Sequence, residues 1–154
     1  MFLSQIFTKF VTKGIFKIKM RSTEEQIVEL VSTSPRGTLF FPEDFEETGS
    51  SEAVRKALQR LENKGGIRRV AHGIYVSPKE SPYIGEVMPS AEEVADAIAK
   101  RDKIRIIPTG VYALHALGLS TQIPLKLVFL TDGAARTINV GKRTIKLKRT
   151  TPKN

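Results

Sequence analysis

The chain contains no cysteine. Disulfide cross-links, thiolate metal sites and cysteine nucleophiles are therefore excluded, and the composition fits a reducing cytoplasm. Histidine is scarce. His72 and His115 are the only two, and neither lies in an H-E-x-x-H-type context. No Walker loop, G-x-G-x-x-G run or D-x-D pair occurs. The common nucleotide-binding and carboxylate–metal signatures are thus missing. No apolar stretch approaches the roughly 20 residues of a membrane span. Acid is missing from both ends, because residues 1–19 and 133–154 contain neither Asp nor Glu. These absences argue against an enzyme. No catalytic residue, metal or cofactor is expected.

What is present is a basic chain of 154 residues, with 25 Lys+Arg against 16 Asp+Glu and a net charge of +9. The length suits one domain or two small ones. The hydrophobic fraction of 40% is enough for a packed core. A pI near 9.9 favours a polyanionic partner, nucleic acid or an anionic membrane surface. Phe2, Leu3, Ile6, Phe7, Phe10 and Val11 recur at helical spacing, broken by Lys9 and Lys13. Residues 1–19 therefore read as a basic amphipathic extension. It is expected to dock on the protein or a partner rather than on a membrane. Met20 is an alternative start.

From residue 20 the order is helix, short strand, helix, helix, hairpin. Ser22 or Thr23 can cap the first helix, with Ile27, Val28, Leu30 and Val31 as its buried stripe. "TLFF" is a short strand. "PEDFEETG" is a short helix with Pro42 in its first turn and Gly49 as its stop. A longer helix follows at about 51–64 and a hairpin at about 67–76. This is the order of a winged helix-turn-helix, assigned to residues 20–78. "SPKESPYIGEVMPS" carries three prolines, which makes 79–89 a linker. Residues 90–154 read as a small α+β domain. It opens on a helix with a Ser90/Glu93 capping box, then strand "KIRIIP", helix "TGVYALHALGL" and strand "KLVFLTDG". Two strands joined around Gly141-Lys142 end it. The expected fold class is α+β.

On a wheel of about 100° per residue, Ala53, Val54, Ala57, Leu58 and Leu61 cover one half of the longer helix. Glu52, Arg55, Lys56, Gln59 and Asn63 cover the other. Arg, Gln and Asn are side chains that read base edges in a major groove. Ser50 or Ser51 caps the helix, whose free N–H groups can accept a phosphate. For the helix alone, an ordinary solvated face is the stronger reading. The hairpin shifts the weight. Arg68, Arg69 and His72 place positive or polar groups at and near its tip, beside Gly73. Helix and wing then give two contacts on one duplex. The candidate DNA-binding residues are Ser51, Arg55, Lys56, Gln59, Asn63, Arg68, Arg69 and His72. Arg69 has two other readings, over Tyr75 or paired with Glu62.

Alternation in the last strand puts Arg143, Ile145 and Leu147 on one face and Lys142, Thr144, Lys146 and Lys148 on the other. Lys146 and Lys148 form a secondary cationic strip on a half-exposed strand. It can extend a DNA footprint, meet an acidic partner or protect an edge. Thr109, Gly110, Ser120, Thr121, Gln122, Thr131, Asp132 and Gly133 are mostly explained by capping and turns, Thr109 as a helix cap. His115, among apolar residues, reads as a core or boundary histidine.

Several motifs are more specific. Pro89–Arg101 has the form P-S-x-E-E-V-A-x-A-I-A-x-R, and Ile107–Gly110 reads I-P-T-G, completing I-x-P-T-G from Ile106. Ala113–Pro124 has the form A-L-x-A-L-G-L-S-T-Q-x-P, followed by L-T-D-G at Leu130–Gly133 and K-R-T-I-K-L at Lys142–Leu147. Over residues 20–154 the chain resembles the bacterial AbiEi-like (type IV, abortive-infection) antitoxins and a related uncharacterised family. The resemblance implies a cytoplasmic, non-enzymatic antitoxin. Its winged helix would bind operator repeats and repress its own operon, with Ser51–Lys64 reading DNA and Ile67–Val76 as the wing. Its second domain would oppose a nucleotidyltransferase-type toxin. Residues 1–19 read as an addition, and the chain stops after "RTTPKN" where relatives continue, which leaves a shortened C-terminal domain as an expectation. Two other readings stay open: a winged-helix regulator whose second domain binds another ligand or partner, and a non-sequence-specific nucleic-acid or membrane-surface module. Occupancy of repeated half-sites needs two copies, by a dimer or by self-association on DNA.

Overall fold

The computed structural model describes residues 21–151. The amphipathic segment expected at 1–19, and Met20, lie outside them. The fold is α+β, with four α-helices, one 3₁₀ helix and three sheets among the described residues. Packing divides the chain into two compact units. One holds the residues up to Ser34 together with Pro42–Gly66; the other holds Pro35–Phe41 and the chain from Ile67 onward.

The first unit is helical. Ser22 caps α1 (Thr23–Thr33) in a full capping box with Glu25. Ile27 and Val31 are buried as expected, but Val28 and Leu30 are exposed. The helix Ser51–Asn63 and the 3₁₀ helix Pro42–Thr48 cover only one side of α1, so the buried stripe is narrow. "PEDFEET" forms the 3₁₀ helix Pro42–Thr48, with Phe45 buried. Gly49 follows it where a Cβ would fall 2.6 Å from Thr23 Oγ1, so a larger residue would displace the Thr23 side chain. α2 (Ser51–Asn63) packs against α1 and the 3₁₀ helix.

The second unit starts with β1 (Leu39–Phe40), which pairs antiparallel with β3 (Ile74–Val76); β3 pairs in turn with β2 (Arg68–Ala71). The β2–β3 register slips between Arg69 and Ala71, and Gly73 takes φ +68° in the turn. Residues 79–89, expected as a linker, instead contain a hairpin of β4 (Lys79–Ser81) and β5 (Gly85–Val87). Its prolines fall outside the paired positions, where no ladder N–H is needed, and Gly85 supplies a positive φ.

Ser90 and Glu93 form the expected capping box on α3 (Ala91–Asp102). Lys103 ends that helix in the left-handed region (φ 53°), and the Ile104 N–H bonds the Ala99 carbonyl. This cap consumes the first residues of "KIRIIP", so β6 is Ile106–Thr109. α4 (Gly110–Ala116), β7 (Lys126–Thr131), β8 (Arg136–Val140) and β9 (Arg143–Arg149) follow. The sheet order is β6-β7-β9-β8, with β7 and β9 parallel and the other pairs antiparallel. Ala91, Val94, Ala95 and Ile98 of α3 pack on Leu127, Phe129, Ile145 and Leu147, and the same core takes in Ala71 and Ile74 of the first hairpin. The hairpin expected to belong with the helices therefore shares its core with the second domain. Tyr112 of α4 meets Phe129 edge-on on this face, with centroids 5.2 Å apart.

Arg143 donates two hydrogen bonds to Glu92, at 2.9 and 2.7 Å. Burial pushes the Glu92 carboxyl up, but the Arg143 hydrogen bonds and charge outweigh it and hold it below 4.5. A depressed folded pKa adds stability above the unfolded value, and that stability is lost as pH falls through the folded one. Glu92→Gln should therefore destabilise the protein at neutral pH, with the gap to wild type closing below about pH 4.5. Urea titrations at two pH values check this, and a gap of constant size would refute it.

Candidate nucleic-acid interface

α2 presents the first candidate surface. Ser50, in extended backbone, accepts from the Ala53 N–H at 3.2 Å and is the cap. Ser51 is thus the first helical residue, exposed at the helix start. Val54, Ala57, Leu58 and Leu61 are buried and Ala53 is half-buried, while Glu52, Arg55, Lys56, Gln59 and Asn63 are exposed. Ser51, Arg55, Gln59 and Asn63 recur every fourth residue, which places them in one stripe along the exposed side. Gln59 and Asn63 make no side-chain hydrogen bond among the described residues, so their amides are free for base edges. Arg55 Nε donates to the Ser51 carbonyl at 3.3 Å, an exposed contact that a stronger acceptor would replace. Lys56 reaches Glu52 at 2.9 Å. That pair offsets the acid that would otherwise repel phosphate.

Two cations that sequence reasoning passed over are committed elsewhere. Arg60 and Lys64 both converge on Glu24 of α1. The Lys64 hydrogen bond, with the charges of both cations, holds the Glu24 carboxyl below its usual range. This mixed-charge cluster borders a cavity of about 400 Å³ between the starts of α1 and α2.

The β2–β3 hairpin presents the second surface, and here one expectation changes. Arg68 is not an open wing cation. Its Nε and Nη2 hold the two carboxylate oxygens of Glu86 on β5, at 2.8 and 3.2 Å. Arg69 is exposed, and its Nη2 donates to His72 Nδ1 at 2.9 Å. A guanidinium accepts no hydrogen bond, so Nδ1 must be the acceptor. Arg69 Nε also reaches the Ala71 carbonyl at 3.4 Å. Arg69 and His72 thus form one polar unit at the tip, in place of the contacts with Tyr75 or Glu62 considered above.

The strip of Lys146 and Lys148 lies on β9, but β9 is an interior strand between β7 and β8, so edge protection is ruled out as its role. Alternation gave the correct face, since Ile145 and Leu147 are buried and Lys148 is exposed. It could not give the neighbours. The polar residues at 109–133 serve structure. Thr109 takes the N-cap position of α4 as expected, but its side chain makes no capping hydrogen bond; its hydroxyl donates instead to the Val128 carbonyl at 3.0 Å. Asp132 accepts from the Arg105 N–H at 2.9 Å. A Cβ on Gly133 would lie 2.5 Å from Ile104 Cγ2. His115 is half-buried and bonds the Ser120 carbonyl through Nδ1 at 3.2 Å, which fixes the proton on that nitrogen. α4, although apolar, buries none of its residues, and Leu117, Leu119, Ile123 and Leu125 beyond it are exposed.

Among the described residues no cluster of three or more His, Cys, Asp or Glu is placed to hold a metal, and no helix is long and apolar enough to cross a membrane. No curated protein and no solved structure matches the sequence. Residues 26–154, which hold nearly all the elements above, match the family described as "Family of unknown function (DUF6088)", and the chain belongs to that family.

Proposed function

We propose that this protein is a cytoplasmic DNA-binding repressor of the winged-helix type, acting as the antitoxin of its own operon. The observation that carries the DNA-binding half is the α2 stripe, where Arg55, Gln59 and Asn63 stand exposed with no carboxylate partner among the described residues. The element order and the antiparallel pairing of β1 with β3 support the winged-helix reading. Base discrimination falls to Arg55, Gln59 and Asn63, and phosphate contact to Ser51, Lys56, Arg69 and His72. Self-association on repeated half-sites follows from operators of this kind. The antitoxin half rests on the motifs between Pro89 and Leu147. Its partner is a nucleotidyltransferase-type toxin, and rescue of growth on co-expression with such a toxin from the same operon tests it.

The DNA-binding test is a gel-shift titration on the protein's own upstream DNA, with excess nonspecific competitor at two salt concentrations. Arg55→Ala and Gln59→Ala should each remove about 1–3 kcal/mol of discrimination between operator and competitor. Arg69→Ala should weaken all duplexes alike and flatten the salt slope by about one unit. Arg68→Ala should flatten it less, since Arg68 is already paired with Glu86. Unchanged operator preference in the Arg55→Ala/Gln59→Ala variant would refute the assignment of α2.

A further inference from the structure

The four-stranded sheet has two faces, and only one carries the core. On the other, register places Ile107 beside Leu130 and Lys148, and Val128 beside Lys146. Thr137 and Asn139 of β8 complete this face opposite Lys146 and Thr144. Ile107 is 60% exposed; Val128 and Leu130 are half-buried, and Lys148, Thr137 and Asn139 are exposed. The face thus has an apolar half on β6 and β7, a lysine row on the adjacent β9 and a polar border on β8. No acidic residue occupies it, and Lys126, Lys146 and Lys148 have no carboxylate partner among the described residues.

We propose that this open face docks an amphipathic helix of an acidic partner protein. A sheet face with an apolar half is normally covered by a helix or a second sheet. Strands stand about 4.8 Å apart, so a helix seated on Ile107, Val128 and Leu130 brings its flank over Lys146 and Lys148. Carboxylates on that flank meet unneutralised ammonium groups, and complementary charge fixes the orientation. Duplex DNA fits less well, because phosphate contact gains nothing from the apolar half. Single-stranded nucleic acid needs aromatic platforms for stacking; the nearest aromatic, Phe129, points into the core on the other side. This docking is independent of the α2 stripe.

The test is a titration of the isotope-labelled full chain with a synthetic peptide of about five helical turns, bearing a leucine stripe flanked by glutamates. A sequence-scrambled peptide of the same composition, a short duplex and phosphatidylglycerol vesicles serve as the other probes. The amphipathic peptide should shift the amides of Ile107, Val128, Leu130, Lys146 and Lys148 saturably. Lys146→Glu/Lys148→Glu should weaken it about tenfold, and Ile107→Ser should weaken it as well, both with unshifted core amides. The scrambled peptide should not bind. No saturable shift on this face, equal binding of the scrambled peptide, or insensitivity to Ile107→Ser would each overturn the proposal. So would displacement by the duplex or the vesicles, which would assign the face to DNA phosphate or to lipid.

Discussion

Phe129→Ala should cost about 3–5 kcal/mol of unfolding free energy. Phe129 is 4% exposed, in the middle of β7, and packs in the core formed with α3, β8 and β9. Truncation leaves a cavity that the strand cannot close, because parallel pairing with β9 and antiparallel pairing with β6 fix its backbone on both sides. It also removes the edge-on contact with Tyr112, part of that cost at about 0.5–1.5 kcal/mol. Half-buried Tyr112 is the ring by which α4 meets Phe129, in a helix none of whose residues is fully buried. Small domains have only about 5–15 kcal/mol in total, so much of the second unit's stability goes with one ring. All three tyrosines, Tyr75, Tyr83 and Tyr112, lie in this unit. Urea titration followed by tyrosine fluorescence therefore reports on it directly. A loss below about 1 kcal/mol would mean that the core closes around the gap.

Leu58→Ala should be nearly as severe in the helical unit, at about 2–5 kcal/mol. Leu58 is fully buried at the centre of the inward side of α2, with Val54, Ala57 and Leu61. The helix is only 13 residues long, and its amide protection depends on that packing more than on intrinsic propensity. Amide exchange along α2 should accelerate by orders of magnitude, and operator binding should fall with it. Arg55→Ala should behave in the opposite way, losing discrimination while leaving exchange unchanged. If Leu58→Ala bound the operator as well as wild type did, the fixed spacing of the α2 stripe could not be what reads DNA.

Local chemistry was legible in the sequence and distant pairing was not. The periodicity of Val54, Ala57, Leu58 and Leu61 gave both faces of α2, because a helix repeats within a few residues. The capping box of Ser90 and Glu93 is likewise a three-residue statement. The partners of Arg68 and Arg143 lie 18 and 51 residues away. No spacing rule reaches that far, so Arg68 looked like a free cation. The hairpin at Lys79–Val87 was hidden because proline and exposed side chains usually signal a loop, whereas pairing there needs only three residues a side. The period of β9 identified its buried side chains, but strand order is a property of the sheet.

That strand order also has a consequence during synthesis. β9, the last of the described strands in chain order, occupies a central place in its sheet: β8 pairs with it alone, and β7 has β6 on one side and β9 on the other. On the ribosome, β6 and β7 can form their ladder early, but β7 keeps an open edge and β8 has no neighbour until Arg143–Arg149 clears the exit tunnel. A nascent chain stalled before Arg143 would display a bare, valine- and leucine-rich edge, the kind of strand that recruits others. Emergence of β9 is therefore the step that closes the β7 edge and gives β8 its neighbour.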